Sequence, residues 1–118
     1  MSVTLHRWND IATEQINPLI ARQFITAERV TVGRFELKKG SVVPEHAHEN
    51  EQVSYIISGA LKFSVEGRDI VVKGGEVLQI PPHVPHAAEA VEDTLAIDVF
   101  SPVRQDWVDK TDTYFQRK

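Results

Sequence analysis

Between about residue 20 and residue 102 the chain alternates apolar and polar residues in short runs rather than long ones. Val30 and Val32 alternate with polar neighbours, and Phe35 and Leu37 continue on the opposite parity. That change of parity, with Gly33 between the pairs, predicts a bulge or sharp bend. Lys38-Lys39-Gly40 reads as a turn, Val53 to Ile57 as a strand ended by Ser58-Gly59, and Leu61, Phe63 and Val65 as a strand turned at Glu66-Gly67-Arg68. Ile70 and Val72 alternate up to Lys73-Gly74-Gly75, and the run from Val77 to Ile80 ends at Pro81-Pro82. His86 to Val91 and Thr94 to Phe100 read as the two arms of a hairpin across Glu92-Asp93. Short strands with turn signals every ~8–12 residues predict an all-β sandwich or barrel. Before them, Asn9 or Asp10 is placed to cap a short helical turn that Pro18 would end. After Pro102 a polar tail carries Trp107 and Tyr114, suited to a short helix or to an arm packed on the barrel or on a second subunit.

Composition narrows the function classes. The 118 residues suit one domain, 1–118, with a barrel core at about 20–102, and 42% hydrophobic with 25% charged residues is ordinary for a globular chain. No cysteine is present, so disulfides, thiolate metal sites and cysteine nucleophiles are excluded. The net charge is −4 and no run of Lys and Arg could grip a phosphate backbone, so no nucleic-acid partner is expected. No apolar stretch approaches the roughly 20 residues of a membrane span. The opening Met-Ser-Val-Thr-Leu-His-Arg-Trp lacks a signal-peptide core, so a cytoplasmic location is expected.

The candidate chemistry lies in the histidines. His46 and His48 are two apart, which on a strand aims both imidazoles at one face. On a continuous strand Gln52 shares that parity and Glu51 does not; a bulge between them would reverse the choice. His86 comes from a distant strand and is placed to complete the set. Neutral imidazole is a common ligand for first-row metal ions. A lone His-x-His also occurs without any metal, in which case these are hydrogen-bonded cavity residues. His83 lies on a loop where a surface role is expected, and His6 falls outside the pattern.

The spacing goes further than the pair. Gly40, five residues, His46, one residue, His48, three residues, Gln52, six residues, Gly59 resembles the first motif of the cupin superfamily, with Gln52 standing where most cupins carry Glu. Gly75, five residues, Pro81, one residue, His83, two residues, His86 resembles the second, with His83 in the place of a usual Gly and Ala90 in that of a usual Asn. The resemblance implies a single-domain cupin jelly-roll β-barrel with short N- and C-terminal extensions. It also implies one divalent metal ion (Ni, Zn, Mn or Fe) on His46, His48, Gln52 and His86. A neutral shell of three His and one Gln leaves the full charge on the ion, which favours Lewis-acid or orienting chemistry.

On the last strand Ala96, Asp98 and Phe100 share one face and Leu95, Ile97 and Val99 the other. Ala88 and Ala90 share the face of His86, and small side chains leave volume for a ligand. Asp98 then either enters that cavity as a proton-transfer group or faces water; Arg104 either pairs with a substrate carboxylate or is an ordinary loop residue. The segment Asp98-Val99-Phe100-Ser101-Pro102-Val103-Arg104, with Trp8, Glu14, the stretch Pro44 to His48 and the stretch Ile80 to His86, resembles the small cupins of the pectin-degradation KdgF type. That resemblance implies an isomerase-type enzyme that converts 4,5-unsaturated uronates to linear keto forms. Asp98 and Arg104 would be catalytic, and Phe100 and Arg104 would contact the substrate. Another metal-dependent cupin activity (isomerase, lyase or dioxygenase) and a non-catalytic sugar-acid binding module are the alternatives. The apolar face of Leu95, Ile97 and Val99 needs a cover, so a homodimer is expected.

Overall fold

A computed structural model describes residues 2–116. A single 3-10 turn at Trp8–Asp10 leads into ten strands: β1 (Glu14–Asn17), β2 (Ile20–Thr26), β3 (Thr31–Leu37), β4 (Val42–His46), β5 (Glu51–Ser58), β6 (Ala60–Val65), β7 (Arg68–Lys73), β8 (Val77–Ile80), β9 (His86–Ala90) and β10 (Thr94–Ser101). A short helix α1 (Gln105–Asp109) and a second 3-10 turn at Tyr114–Gln116 follow. The strands form two antiparallel sheets, one in the order β1-β2-β3-β10-β5-β8 and one in the order β4-β9-β6-β7, packed as a jelly roll. No helix among the described residues is long and apolar enough to cross a membrane.

Alternation puts the core between the sheets. Ile20, Phe35, Leu37 and Ile56 come inward from the larger sheet, and Leu61, Phe63, Val72 and Ala88 from the smaller. Each of the large side chains contributes about 1.5–3 kcal/mol by leaving water. The turns follow the glycines: Gly40 and Gly59 sit at φ 87° and 91°, and Glu66-Gly67 at 53° and 78° joins β6 to β7. A Cβ on Gly59 would stand 2.2 Å from the Asp93 carbonyl oxygen, so that close approach needs glycine.

Three expectations from the sequence are corrected. β3 runs through Gly33 without a bulge, in unbroken register with β2 and β10. The apparent parity change arises because Thr31, Gly33, Phe35 and Leu37 face inward, while Val32 faces out. Gly33 is there for packing: a Cβ would lie 3.0 Å from the Trp107 ring. Second, His86–Ala90 and Thr94–Ser101 are not a hairpin. β9 pairs with β4 and β6, whereas β10 pairs with β3 and β5, so Glu92-Asp93 carries the chain from one sheet to the other. Third, the helical turn stops at Asp10 with no side-chain cap, and Pro18 lies in the turn between β1 and β2. There Asn17 Oδ1 accepts the N–H groups of Leu19 and Ile20 at 2.8 and 3.0 Å.

Gly33→Val should overpack the gap filled by Trp107 and lower stability by about 1–3 kcal/mol, read as an earlier urea midpoint. An unchanged midpoint would mean that Trp107 is not held against β3.

Candidate metal centre

His46 closes β4 and His86 opens β9, and the two are register partners in the smaller sheet. His48 lies in the crossing loop, and Gln52 is the second residue of β5 in the larger sheet. The continuous strand expected from His46 to Gln52 is therefore broken. The side chains meet because the chain crosses the mouth of the cavity from one sheet to the other. His83 holds this loop from outside: its N–H donates to the His48 carbonyl at 2.8 Å. His83 itself is exposed with φ 66°, a conformation that suits the glycine more usual at this place. His6 is exposed and far down the chain from the cluster.

The three imidazoles form one group, with a ligating atom from each within 4.8 Å of the others. Ring centroids are 4.4 Å apart for His46 and His86, 5.1 Å for His48 and His86, and 5.5 Å for His46 and His48. Each ring is oriented by a carbonyl two residues away. His46 Nδ1 meets Pro44 O at 2.8 Å, His48 Nδ1 meets Asn50 O at 3.0 Å and His86 Nδ1 meets Val84 O at 2.9 Å. A carbonyl only accepts, so His46 and His86 carry the proton on Nδ1 and offer a lone pair at Nε2, whereas His48 has an acceptor oxygen at each ring nitrogen and one proton to give. His86 Nε2 is buried without a partner. His48 Nε2 stands 3.1 Å from Gln52 Oε1, which is an acceptor, because the amide nitrogen faces Ser54 Oγ at 2.9 Å and Asp98 Oδ2 at 3.5 Å. With the His48 proton on Nδ1, facing acceptors and an orphaned lone pair fit a cation, and imidazoles suit a first-row divalent ion.

Burial pushes the His46 imidazole down to about 3 and His48 to about 4, and lowers His86. The nearby Arg104 charge adds to all three shifts. The three imidazoles are therefore neutral at pH 7 and would shed no proton on binding a metal.

Asp98 faces inward from β10, opposite Ser54, and lines the cavity with His46, Gln52, His86 and Phe100. Its Oδ1 is buried with no partner. Burial raises its carboxyl to about 6, against the opposing pull of Ser54 and Arg104. Phe100 is 2% exposed and meets His48 edge-on at 5.7 Å. Arg104 is 1% exposed; its Nε and Nη2 donate to Asp106 at 2.9 and 2.7 Å, and its guanidinium lies over Phe100 and Trp107 at 4.7 and 4.5 Å. One edge of its fork is thus committed to Asp106.

The sequence reading missed several residues that shape this site. Tyr114 stacks flat on His46, with centroids 4.0 Å apart and planes 6° from parallel. Asn50 donates from Nδ2 to Pro102 O and Val103 O at 2.6 and 3.1 Å, tying the His48 loop to the segment that carries Arg104. Trp107 underlies Arg104. The tail with Trp107 and Tyr114 was expected to form a short helix or an arm packed on the barrel, and it does both, but nothing in the sequence placed it at the imidazoles or marked Asn50.

The jelly roll is that of a cupin, and the chain belongs to the cupin family: the cupin domain model matches residues 33–100, and the three converging imidazoles could hold a metal ion. Over 98 residues it is 26% identical to the pectin degradation protein KdgF of Dickeya dadantii, covering 80% of this chain and 89% of that protein. Among solved structures, KdgF from a Halomonas species superposes with a TM-score of 0.83 at 28% identity, covering 90% of this chain and 99% of that one. An RmlC-like cupin from Shewanella frigidimarina gives 0.82 at 30% identity, covering 90% and 96%.

His86→Ala should weaken divalent-metal binding by more than about 100-fold in a calorimetric titration, since replacing even an outer partner of a ligand costs 10–100-fold. Retained stoichiometric binding would place the metal elsewhere. The metal-free protein should also lose stability as pH falls from 6.5 toward 4. Over that range the unfolded chain protonates three imidazoles that the folded state holds neutral. Asp98 works the other way, because its buried charge is relieved as pH falls from about 6 toward 3.8. Three groups outweigh one, so Tm should be lower at about pH 5 than at about pH 7.5; equal values would contradict the burial of the rings.

Proposed function

We propose that this cupin is a metal-dependent enzyme that opens and ketonises 4,5-unsaturated uronates, with His46, His48, Gln52 and His86 as ligands and Asp98 as the proton-transfer group. The observation that carries the reading is the unpartnered Asp98 oxygen enclosed beside three convergent imidazoles. The likeness to the two KdgF proteins supports the substrate class.

A divalent ion on the four ligands would polarise oxygen atoms of the bound sugar acid. The reaction is an isomerisation and balances without a co-reactant. The hemiacetal hydroxyl loses its proton, the ring C–O bond breaks to leave an aldehyde and an enolate, and the far carbon of the enolate takes a proton as the ketone forms. Asp98 suits both transfers, since a carboxyl near 6 exchanges protons readily at neutral pH. Gln52 holds that carboxylate through its amide N–H while its oxygen faces His48. Phe100 gives the ring an apolar wall. Arg104 places a fixed positive charge beside the cavity, which favours an anionic ligand and orients its carboxylate.

We also propose a cytoplasmic homodimer in which a second subunit covers the outer face of the larger sheet. Leu95, Ile97 and Val99 lie there beside Tyr55 and Val77, which are 44% and 58% exposed. Gel filtration at the mass of a single chain at micromolar concentration would oppose this.

Purified metal-loaded protein should remove the conjugated double-bond absorbance of an unsaturated galacturonate monomer. Asp98→Ala should lower kcat by about 10²–10⁴-fold while still binding metal, and His48→Ala should lose both. No acceleration over buffer with metal bound would exclude the uronate reading. Gln52→Glu should bind metal more tightly yet turn over more slowly at pH 7. It adds a ligand charge but removes the N–H that Asp98 accepts and sets two carboxylates together, which pushes Asp98 further up.

A further inference from the structure

After α1, Lys110 adopts φ 58° and the chain turns back across the cavity. Tyr114, 8% exposed, lies on His46, and Phe115 packs on Tyr114 with centroids 4.5 Å apart; both line the cavity. The last backbone hydrogen bond that ties this segment to the rest of the described residues is Thr111 N–H to Asp106 O at 2.8 Å. Beyond it, side chains do the fastening. Arg22 Nη1 donates to Asp112 Oδ2 at 2.8 Å, and Arg104 Nη2 donates to the Tyr114 hydroxyl at 3.3 Å. Arg22 is itself fixed: its Nε meets Glu14 at 3.2 Å and its guanidinium lies over Trp107 at 4.4 Å. No backbone ladder holds the segment beyond Thr111, so its opening has only these side-chain bonds and the packing of Tyr114 and Phe115 to break.

With Tyr114 on His46 the cavity, which opens in part to solvent, has room of about 40 Å³. A water needs about 10–15 Å³ of such space, so in this arrangement it takes a few waters, and a sugar acid needs Tyr114 displaced. We infer that Tyr114 is the gate of the metal cavity, swinging off His46 with residues 111–116, and that the Arg22–Asp112 ion pair is the latch that sets how often it opens. Tyr114 would then fix which molecules reach the imidazoles and would shut water out once they are inside. The inference rests on reading this cavity as the ligand site, but not on the uronate.

Metal exchange tests it without any sugar. Apo protein is mixed with Co²⁺ and capture followed by stopped-flow absorbance; release is followed after adding excess EDTA. A latch controls passage in both directions, so Asp112→Asn should speed capture and release by the same factor, fivefold or more, and leave Kd unchanged. Tyr114→Ala should speed both at least as much. Wild-type rates in either variant, or faster release alone in Asp112→Asn, would overturn the gate. Failure of the uronate assay with these rates as expected would remove the substrate and keep the gate.

Discussion

His48 Nε2 and Gln52 Oε1 face each other at 3.1 Å where the crossing loop meets β5. With the His48 proton on Nδ1 both are acceptors, an arrangement that a shared cation would make favourable. The surrounding structure supports it from both sides. The Asn50 carbonyl accepts from His48 Nδ1 in that tautomer, and Ser54 with Asp98 fixes the Gln52 amide. The Asn50 side chain then fastens the same loop to the chain leaving β10. Position of ligands, orientation of rings and placement of the acidic residue are thus one constraint expressed several times.

The same amide explains why a neutral residue stands where a carboxylate is more usual. A glutamate at 52 could face a cation but could donate nothing to Asp98. Glutamine presents oxygen to one side and N–H to the other. It therefore couples the imidazole cluster to an acid 46 residues on, diagonally across the pairing of β5 with β10.

Much of this was legible in the sequence, for reasons that differ by residue. The alternation of Leu61, Phe63 and Val65 and the glycines at 40, 59 and 67 fixed strands and turns, because period two and positive φ are local properties. The spacing of His46, His48, Gln52 and His86 identified the cluster, yet the geometric argument for it failed: the residues converge through a sheet-to-sheet crossing, not along one strand. The parity of Asp98 and Phe100 was read correctly because β10 is regular. The supposed hairpin failed because two adjacent strands with a short link look alike whether they pair or part. Tyr114 was expected in an arm packed on the barrel, but its place on His46 was beyond reach, since the arm is fastened by contacts such as Arg22 to Asp112, 90 residues apart. No local pattern encodes such a contact.

Charge makes the remaining link. Arg104 is a buried cation, and Asp106, Phe100 and Trp107 keep it there at tolerable cost. Its field reaches both halves of the site with opposite consequences. It disfavours protonated imidazole at His46, His48 and His86, which keeps lone pairs available, and it opposes the burial that would hold Asp98 neutral. Without it burial alone would hold the histidines neutral, less strongly, and the acid would lie further from ionisation. Asp106 balances the Arg104 charge, so a divalent ion held on neutral side chains would itself be what makes the interior net positive. Tyr114, whose hydroxyl Arg104 also holds, lines the same cavity and so ties the C-terminal segment to this balance of charge.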